Sequence, residues 1–145
     1  MFDRLARRIQ DRVGWQRGLA AFLAGAVSAL AMPPFGLFPL LFLTFPVLVW
    51  LLDGLARRAE GLVAAARLGW MFGFGYFLAG LWWVGSAFLV EADIFGWMLP
   101  FAIIALPAGL ALFTAGGIAL AHLLWSDGQH RIFALAFGLT AAEFA

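Results

Sequence analysis

Apolar segments of helical length alternate with short polar stretches along the 145-residue chain. A helix rises 1.5 Å per residue, so crossing a hydrocarbon core of roughly 30 Å takes about 20 residues. Prolines, glycines and charged residues interrupt the apolar runs and mark where helices end. The pattern predicts an all-α, multi-pass transmembrane helical bundle of four spans and a truncated fifth, at about residues 18–32, 35–52, 68–90, 97–125 and 132–145.

Two of these segments are short for a membrane crossing. The first reaches the required length if its helix begins at Trp15, because the long side chain of Arg17 can extend to the interface. Pro33 and Pro34 then end the helix and make a poor signal-peptide cleavage site, so we interpret the segment as an uncleaved span. The fifth segment stops at Ala145 without a polar flank, so we expect the chain to be truncated inside its fifth helix.

All nine basic residues are arginines, and they fall on alternate connections between the apolar segments. Residues 1–17 carry five of them, the second connection carries three, and the connection before the fifth segment carries Arg131. The intervening turns, near Pro33 and near Asp93, carry none. Because arginine and lysine are enriched in cytoplasmic loops, residues 1–17 are predicted to be cytoplasmic and residues 18–145 to form the membrane domain.

Composition agrees with a membrane protein and excludes several kinds of site. Hydrophobic residues make up 65% of the chain, charged residues 12%, and the mean hydropathy is +0.98, whereas soluble domains are about half apolar and roughly a quarter charged. The absence of Cys excludes disulfides, thiolate metal sites and a Cys nucleophile within the chain. With two His and no basic stripe, we expect no metal, no cofactor and no nucleic-acid partner.

Small residues recur at four-residue spacing in two of the segments. Ala21, Gly25 and Ala29 follow this spacing in the first segment, and Gly69 and Gly73 follow it in the third. Small side chains on one helix face let membrane helices approach closely, so the pattern predicts tight packing within the bundle. Dimerisation through the same faces is the alternative.

Few residues inside the apolar segments can carry chemistry. Trp83 and Ser86 lie in the outer half of the third segment, where Trp commonly forms a belt at the headgroup level; the alternative is that they line a lipid-binding cleft. A carboxyl such as Glu143, inside the fifth segment, is costly unless it is paired, protonated or beside a wet cavity. We therefore predict either a functional site or a buried structural hydrogen bond at Glu143, and interpret His122 as an interfacial histidine.

Three stretches occur in an order typical of one enzyme family. They are AMPPFG at residues 31–36, GWMFGFGYF at residues 69–77 followed by Gly80, Trp83, Val84 and Ser86, and TAAEF at residues 140–144. In this order and spacing, the chain resembles the N-terminal membrane region of bacterial apolipoprotein N-acyltransferases over essentially its whole length.

The resemblance implies an enzyme of the bacterial inner membrane. Such an enzyme transfers an acyl chain from a phospholipid, typically phosphatidylethanolamine, to the N-terminal diacylglyceryl-cysteine of an apolipoprotein. It also implies a periplasmic nitrilase-like domain with a Glu-Lys-Cys triad, on whose Cys the acyl group forms a thioester. This chain has neither Cys nor Lys, so we expect no catalytic residue and no nitrilase-like domain in it, and no activity from it alone.

What the resemblance implies for this chain is a scaffold that helps to form a lateral opening for lipids. The residues assigned to that role are Phe35, Trp83, Ser86 and Glu143. Two other interpretations stay open. A non-enzymatic membrane subunit or small permease would fit the apolar composition, although a permease needs a polar pathway that this chain largely lacks. A degenerate relative that binds lipid without chemistry is the other.

Overall fold

The structure is a computed structural model that describes residues 2–84, 96–126 and 128–144. The described part of the chain is helical and contains no strand. Its α-helices, in chain order, are α1 (Phe2–Gln10), α2 (Trp15–Ala29), α3 (Leu41–Arg57), α4 (Leu62–Gly80), α5 (Leu99–Leu123) and α6 (His130–Glu143). Short 3-10 helices precede α3 and α5, at Phe38–Leu40 and Gly96–Met98.

Three helical stretches among the described residues are long and apolar enough to cross a membrane. They are Phe38–Arg57, Leu62–Gly80 and Gly96–Leu123. Helix α2 has 15 residues and α6 has 14, so they are about 22 and 21 Å long, less than the roughly 30 Å of the hydrocarbon core. The first and fifth predicted spans are therefore helical, and their crossing of a membrane stays a prediction.

The polar break between the second and third apolar segments is narrower than the sequence pattern predicts. Helix α3 continues to Arg57 and α4 begins at Leu62, whereas the predicted spans end at residue 52 and resume at residue 68. Asp53 and Arg67 therefore lie in helices. Burial of Asp53 is compatible with its charge because Arg131 pairs with it. At its other end, α4 stops at Gly80, before the predicted residue 90.

Proline and glycine set the first two helix breaks. Gly14 has φ +57° between α1 and α2, a backbone conformation that residues with a Cβ rarely adopt. After α2, the Pro33-Pro34 pair and Gly36, with φ +62°, redirect the chain toward the 3-10 helix at Phe38–Leu40. The predicted proline turn after the first segment is therefore confirmed.

Helix α4 lies at the centre of the fold, packed against α2 on one side and α5 on the other. Helix α6 packs on α5, and α1 packs on α3, which also contacts α2. The core is mostly aliphatic, because α3 contributes four fully buried leucines and α5 contributes Ile118: Leu48, Leu51, Leu52, Leu55 and Ile118. Lipid tails are as apolar as leucine side chains, so the hydrophobic effect contributes little to helix association inside a membrane. Close van der Waals packing therefore contributes more to the stability of this core than it would in a water-soluble protein.

Glycines permit the closest helix contacts, as their spacing predicts. A Cβ on Gly25 would collide with the backbone carbonyl of Phe72, so α2 and α4 meet backbone to backbone at this point. A Cβ on Gly69 would lie 2.7 Å from the Cβ of Ile118, and Gly73 faces α5 in the same way. The prediction that these small residues mediate tight packing within the bundle is therefore confirmed.

The arginines lie at one end of the helices, called here the basic end. They occur in α1 and the turn after it, in the first turn of α2, at the end of α3, near the start of α4 and at the start of α6. Among the described residues, the ion pairs Arg17–Glu60 and Arg131–Asp53 connect these segments. The arginines, which alternate between connections along the chain, thus lie together at one end of the bundle. Whether this end faces the cytoplasm stays a prediction.

Candidate functional site

A cavity of about 600 Å³ opens among α2, α3, α4, α5 and α6, away from the basic end. It lies where α2 and α6 end and α3 begins, beside the second half of α4 and the middle of α5. Its wall is mainly aromatic and aliphatic, with Phe45, Phe72, Phe77, Leu110 and Phe113 among its lining residues. This volume falls within the roughly 300–1,000 Å³ of typical small-molecule sites, and the apolar wall favours a hydrocarbon ligand. We call it the apolar cavity.

Four polar side chains also line the apolar cavity: Ser28, Tyr76, Thr114 and Glu143. Ser28 is already engaged, because its hydroxyl lies 2.8 Å from the carbonyl oxygen of Ala24 and 2.7 Å from the hydroxyl of Thr44. Among the described residues that line the cavity, Glu143 contributes the only carboxylate. The cavity therefore combines a hydrocarbon-compatible wall with one acidic group, which suits an amphiphilic ligand.

Of the four residues that the sequence singled out, the structure places Glu143 at this cavity. Glu143 is the last residue of α6 and its side chain is exposed at the cavity wall, not buried against a neighbouring helix. Phe35 is 57% exposed in the turn after α2, and Trp83 is 59% exposed beyond the end of α4; neither lines the cavity. Ser86 lies outside the described residues.

Sequence reasoning missed Tyr76 and the two hydroxyl residues of the cavity. Tyr76 is the single tyrosine of the chain and lies within an apolar helix, so its hydroxyl is a signal that the sequence does offer. Ser28 and Thr114 offer no such signal, because isolated hydroxyl residues are common inside membrane helices and hydrogen-bond locally. Only the packing of the five helices shows that Ser28, Tyr76 and Thr114 line the same cavity.

The basic end contains a buried polar network centred on Asp53. Its carboxylate accepts from Arg131, whose Nη1 lies 3.0 and 2.9 Å from the two carboxylate oxygens. It also accepts from Trp125 Nε1 at 3.3 Å and from Gln10 Nε2 at 3.4 Å. Asp53 is 7% exposed, so these donors replace the water that burial removes. The network joins α1, α3, α6 and the turn after α5.

A second polar group joins the start of α2 to the connection between α3 and α4. Arg17 donates to both carboxylate oxygens of Glu60, at 2.6 and 2.8 Å, and its Nε donates to the carbonyl of Arg12 at 3.0 Å. These hydrogen bonds hold the pKa of Glu60 below its usual value. His122 Nε2 donates to the Glu60 carbonyl at 3.0 Å near the end of α5, and the interfacial position of this histidine stays a prediction.

The acidic and histidine side chains of the described residues do not cluster. No group of three or more His, Asp or Glu side chains there is arranged to hold a metal ion. The described residues therefore provide two kinds of environment: an apolar cavity with one carboxylate, and arginine-rich polar networks at the opposite end.

Comparison with known proteins identifies the family. The family model described as the apolipoprotein N-acyltransferase N-terminal domain matches residues 24–145. A curated apolipoprotein N-acyltransferase of Brucella suis biovar 1 is 55% identical over 149 residues, covering 99% of this chain and 28% of the relative. The enzyme of the same name from Rhodopseudomonas palustris is 55% identical over 145 residues, covering 99% of this chain and 27% of the relative.

A third relative extends the same result. The apolipoprotein N-acyltransferase of Rhizobium meliloti is 52% identical over 147 residues, covering 98% of this chain and 28% of the relative. The chain thus spans little more than a quarter of the length of the curated relatives it matches. No solved structure matches the chain. The agreement of the family model and the relatives across nearly the whole chain shows that it belongs to the apolipoprotein N-acyltransferase family, as the N-terminal domain of such a protein.

Proposed function

We propose that this chain forms the membrane-embedded N-terminal region of an enzyme that transfers an acyl chain from a phospholipid to the N-terminal diacylglyceryl-cysteine of an apolipoprotein. Family membership supports the reaction class, and the three apolar helices support a location in the membrane. The observation that carries a role for this region is the apolar cavity with Glu143 in its lining. Since the chain has neither Cys nor Lys, the thioester chemistry would come from residues outside it.

In this proposal, the apolar cavity accepts an acyl chain of the donor phospholipid. Phe45, Phe72 and Leu110 would surround the hydrocarbon, and the transfer of each methylene from water to such a wall gains about 0.8 kcal/mol. A lipid already in the bilayer gains much less, so the wall acts mainly to position the chain. Glu143 would pair with an ammonium group, such as the one that phosphatidylethanolamine carries.

The proposal also includes the orientation and location of the chain. The basic end would face the cytoplasm, the apolar cavity would open toward the outer leaflet of the bacterial inner membrane, and residues 18–145 would cross the membrane four times and enter a fifth span. The arginine distribution supports this orientation, because arginine-rich connections stay on the cytoplasmic side. Phe35 and Trp83 would then lie toward the outer face, where exposed aromatic rings suit the headgroup region, and a lipid-contact role for Ser86 stays a prediction.

Cysteine labelling tests the orientation, because the chain has no native Cys. A membrane-impermeant maleimide added outside spheroplasts should label a cysteine in the variant Phe35→Cys and should not label one in Arg57→Cys until the membrane is permeabilised. Both side chains are exposed, so accessibility within the fold is matched. Labelling of Arg57→Cys alone in intact spheroplasts would reverse the orientation.

A matched pair of substitutions tests the role of the cavity in the full-length enzyme that the proposal requires. Leu110→Trp places an indole in the cavity, whereas Leu112→Trp places one on the outer surface of the same helix, where Leu112 is 63% exposed. Overpacking costs about 1–3 kcal/mol, so acyl transfer to a diacylated lipopeptide should fall about fivefold to 100-fold in Leu110→Trp. Leu112→Trp should retain normal transfer; equal rates in both variants at equal abundance would reject the cavity as the acyl site.

Glu143 is tested by a change that keeps its shape. A hydrogen bond to a charged group contributes about 1.5–3 kcal/mol, so Glu143→Gln should slow acyl transfer about 10-fold to 100-fold. Glu143 is exposed, and its replacement should leave abundance unchanged. Normal transfer at normal abundance would remove Glu143 from the proposed mechanism and leave the family assignment intact.

A further inference from the structure

We propose a second lipid site in this chain: a groove between α2 and α4 at the basic end that binds an anionic phospholipid, of which phosphatidylglycerol is the simplest example. The groove has a volume of about 800 Å³ and runs along the first halves of both helices. It lies at the opposite end of the bundle from the apolar cavity, so it is separate from the proposed acyl-donor site. Its role would be to anchor and orient the domain in the adjacent leaflet.

The charges of the groove favour an anion. Arg17, Glu60 and Arg67 line it. Arg17 and Glu60 neutralise each other through two hydrogen bonds of 2.6 and 2.8 Å, whereas Arg67 is exposed and has no ion-pair partner within residues 2–84, 96–126 and 128–144. The groove therefore carries one uncompensated guanidinium, a group whose planar set of N–H donors matches a phosphate.

The same charges disfavour a zwitterionic lipid. Within the part of the chain that the structure describes, Glu60 is the only carboxylate that lines the groove, and both of its oxygens accept from Arg17. An ethanolamine ammonium would consequently find no acidic partner there and would approach Arg67. A glycerol headgroup brings the same phosphate without this repulsion, so charge complementarity selects the anionic lipid.

Below the arginines, the wall of the groove becomes apolar. Its lining here consists of Leu19 and Phe22 from α2 and Leu68 and Met71 from α4, and Leu19 is 45% exposed. Trp15, at the mouth of the groove, is also exposed, and indole rings favour the headgroup level of a membrane. The arginines would thus contact the headgroup of a lipid in one leaflet, and the partly exposed apolar wall would contact its acyl chains.

Native mass spectrometry of the full-length protein in detergent tests the site. We expect phosphatidylglycerol to bind more tightly than phosphatidylethanolamine with the same acyl chains. The variant Arg67→Gln should lower the phosphatidylglycerol affinity about fivefold, the effect of one arginine near an anionic membrane surface, and leave the phosphatidylethanolamine affinity unchanged. Arg57→Gln is the matched control, because Arg57 is also exposed at the basic end but does not line the groove.

Two results would overturn the proposal. One is equal affinity of the wild-type protein for the two lipids, and the other is an equal loss in Arg67→Gln and Arg57→Gln, which would indicate a nonspecific effect of charge. A photocrosslinker introduced at Leu19 supplies an independent measurement in native membranes. Capture of phosphatidylglycerol supports the site, whereas capture of protein alone would assign the groove to a protein segment and reject the lipid. Neither measurement depends on acyl transfer.

Discussion

The pairing of Asp53 with Arg131 makes a quantitative prediction about the stability of the basic end. Asp53→Asn keeps the size of the side chain and an oxygen that can accept from Trp125 or Gln10, but removes the charge that faces Arg131. Breaking a fully buried pair costs about 3–5 kcal/mol. Arg131 is 37% exposed on its side chain, so water can solvate it after the substitution and the cost should fall to about 1–3 kcal/mol.

A double-mutant cycle isolates the pair from the rest of the network. The single variants Asp53→Asn and Arg131→Gln should each destabilise the protein, and the double variant should be less destabilised than their sum by about 1–2 kcal/mol, because the second substitution removes a charge already left unpaired. The free energy of unfolding can be measured by titration with a denaturing detergent in mixed micelles, with helical circular dichroism as the signal.

A distant substitution provides the control for this cycle. Leu112 lies about 16 Å along α5 from Leu123, which precedes the network residue Trp125, and its side chain faces outward. Asp53→Asn and Leu112→Ala should therefore add within about 0.5 kcal/mol. The same additivity between Asp53→Asn and Arg131→Gln would refute the view that this ion pair stabilises the junction of α3 and α6.

Two further predictions concern helix packing and pH. Gly25→Leu should destabilise the protein by about 1–3 kcal/mol in the same assay, because its side chain meets the α4 backbone. Gly116→Leu, in open space on α5, should be neutral or stabilising, and an equal loss in both would contradict the packing argument. Because Arg17 lowers the pKa of Glu60, the stabilisation from Glu60 should be present above its ordinary pKa of 4.5 and disappear as the pH falls below it. The difference in unfolding free energy between wild type and Glu60→Gln should therefore shrink on acidification, and a constant difference between about pH 7 and pH 3 would exclude this linkage.

How far the sequence predicted the fold depends on how local each signal is. The proline turn after α2 and the glycines that face other helices follow from residue type and spacing, and both are confirmed. The end of α3 at Arg57 and the start of α4 at Leu62 differ from the predicted span bounds at residues 52 and 68, because those bounds treat charged residues as the mark of a loop. Asp53 shows why this fails: a carboxylate can remain in a helix when a partner distant in sequence, here Arg131, compensates for its burial.

The candidate site shows the same division. Glu143 is predictable because a carboxyl in an apolar segment is unusual wherever the helix lies, and the structure places it at the cavity. Phe35 and Trp83 were assigned to the same lipid opening; both are exposed and neither lines the cavity, so their role stays a prediction. Tyr76 and Ser28 join the cavity only through the packing of helices far apart in the chain.

By itself, the sequence determined that the protein is helical, rich in membrane-compatible segments, and asymmetric in charge, because these properties depend on residue type and short-range periodicity. The sequence also showed the family resemblance, because the order and spacing of short motifs can be recognised without a structure. The tertiary structure decided which polar groups meet: Asp53 with Arg131, Arg17 with Glu60, and Glu143 with the apolar cavity. The physical reason is that burial, pairing and cavity shape depend on contacts between residues distant in sequence, and helix periodicity alone leaves those contacts unspecified.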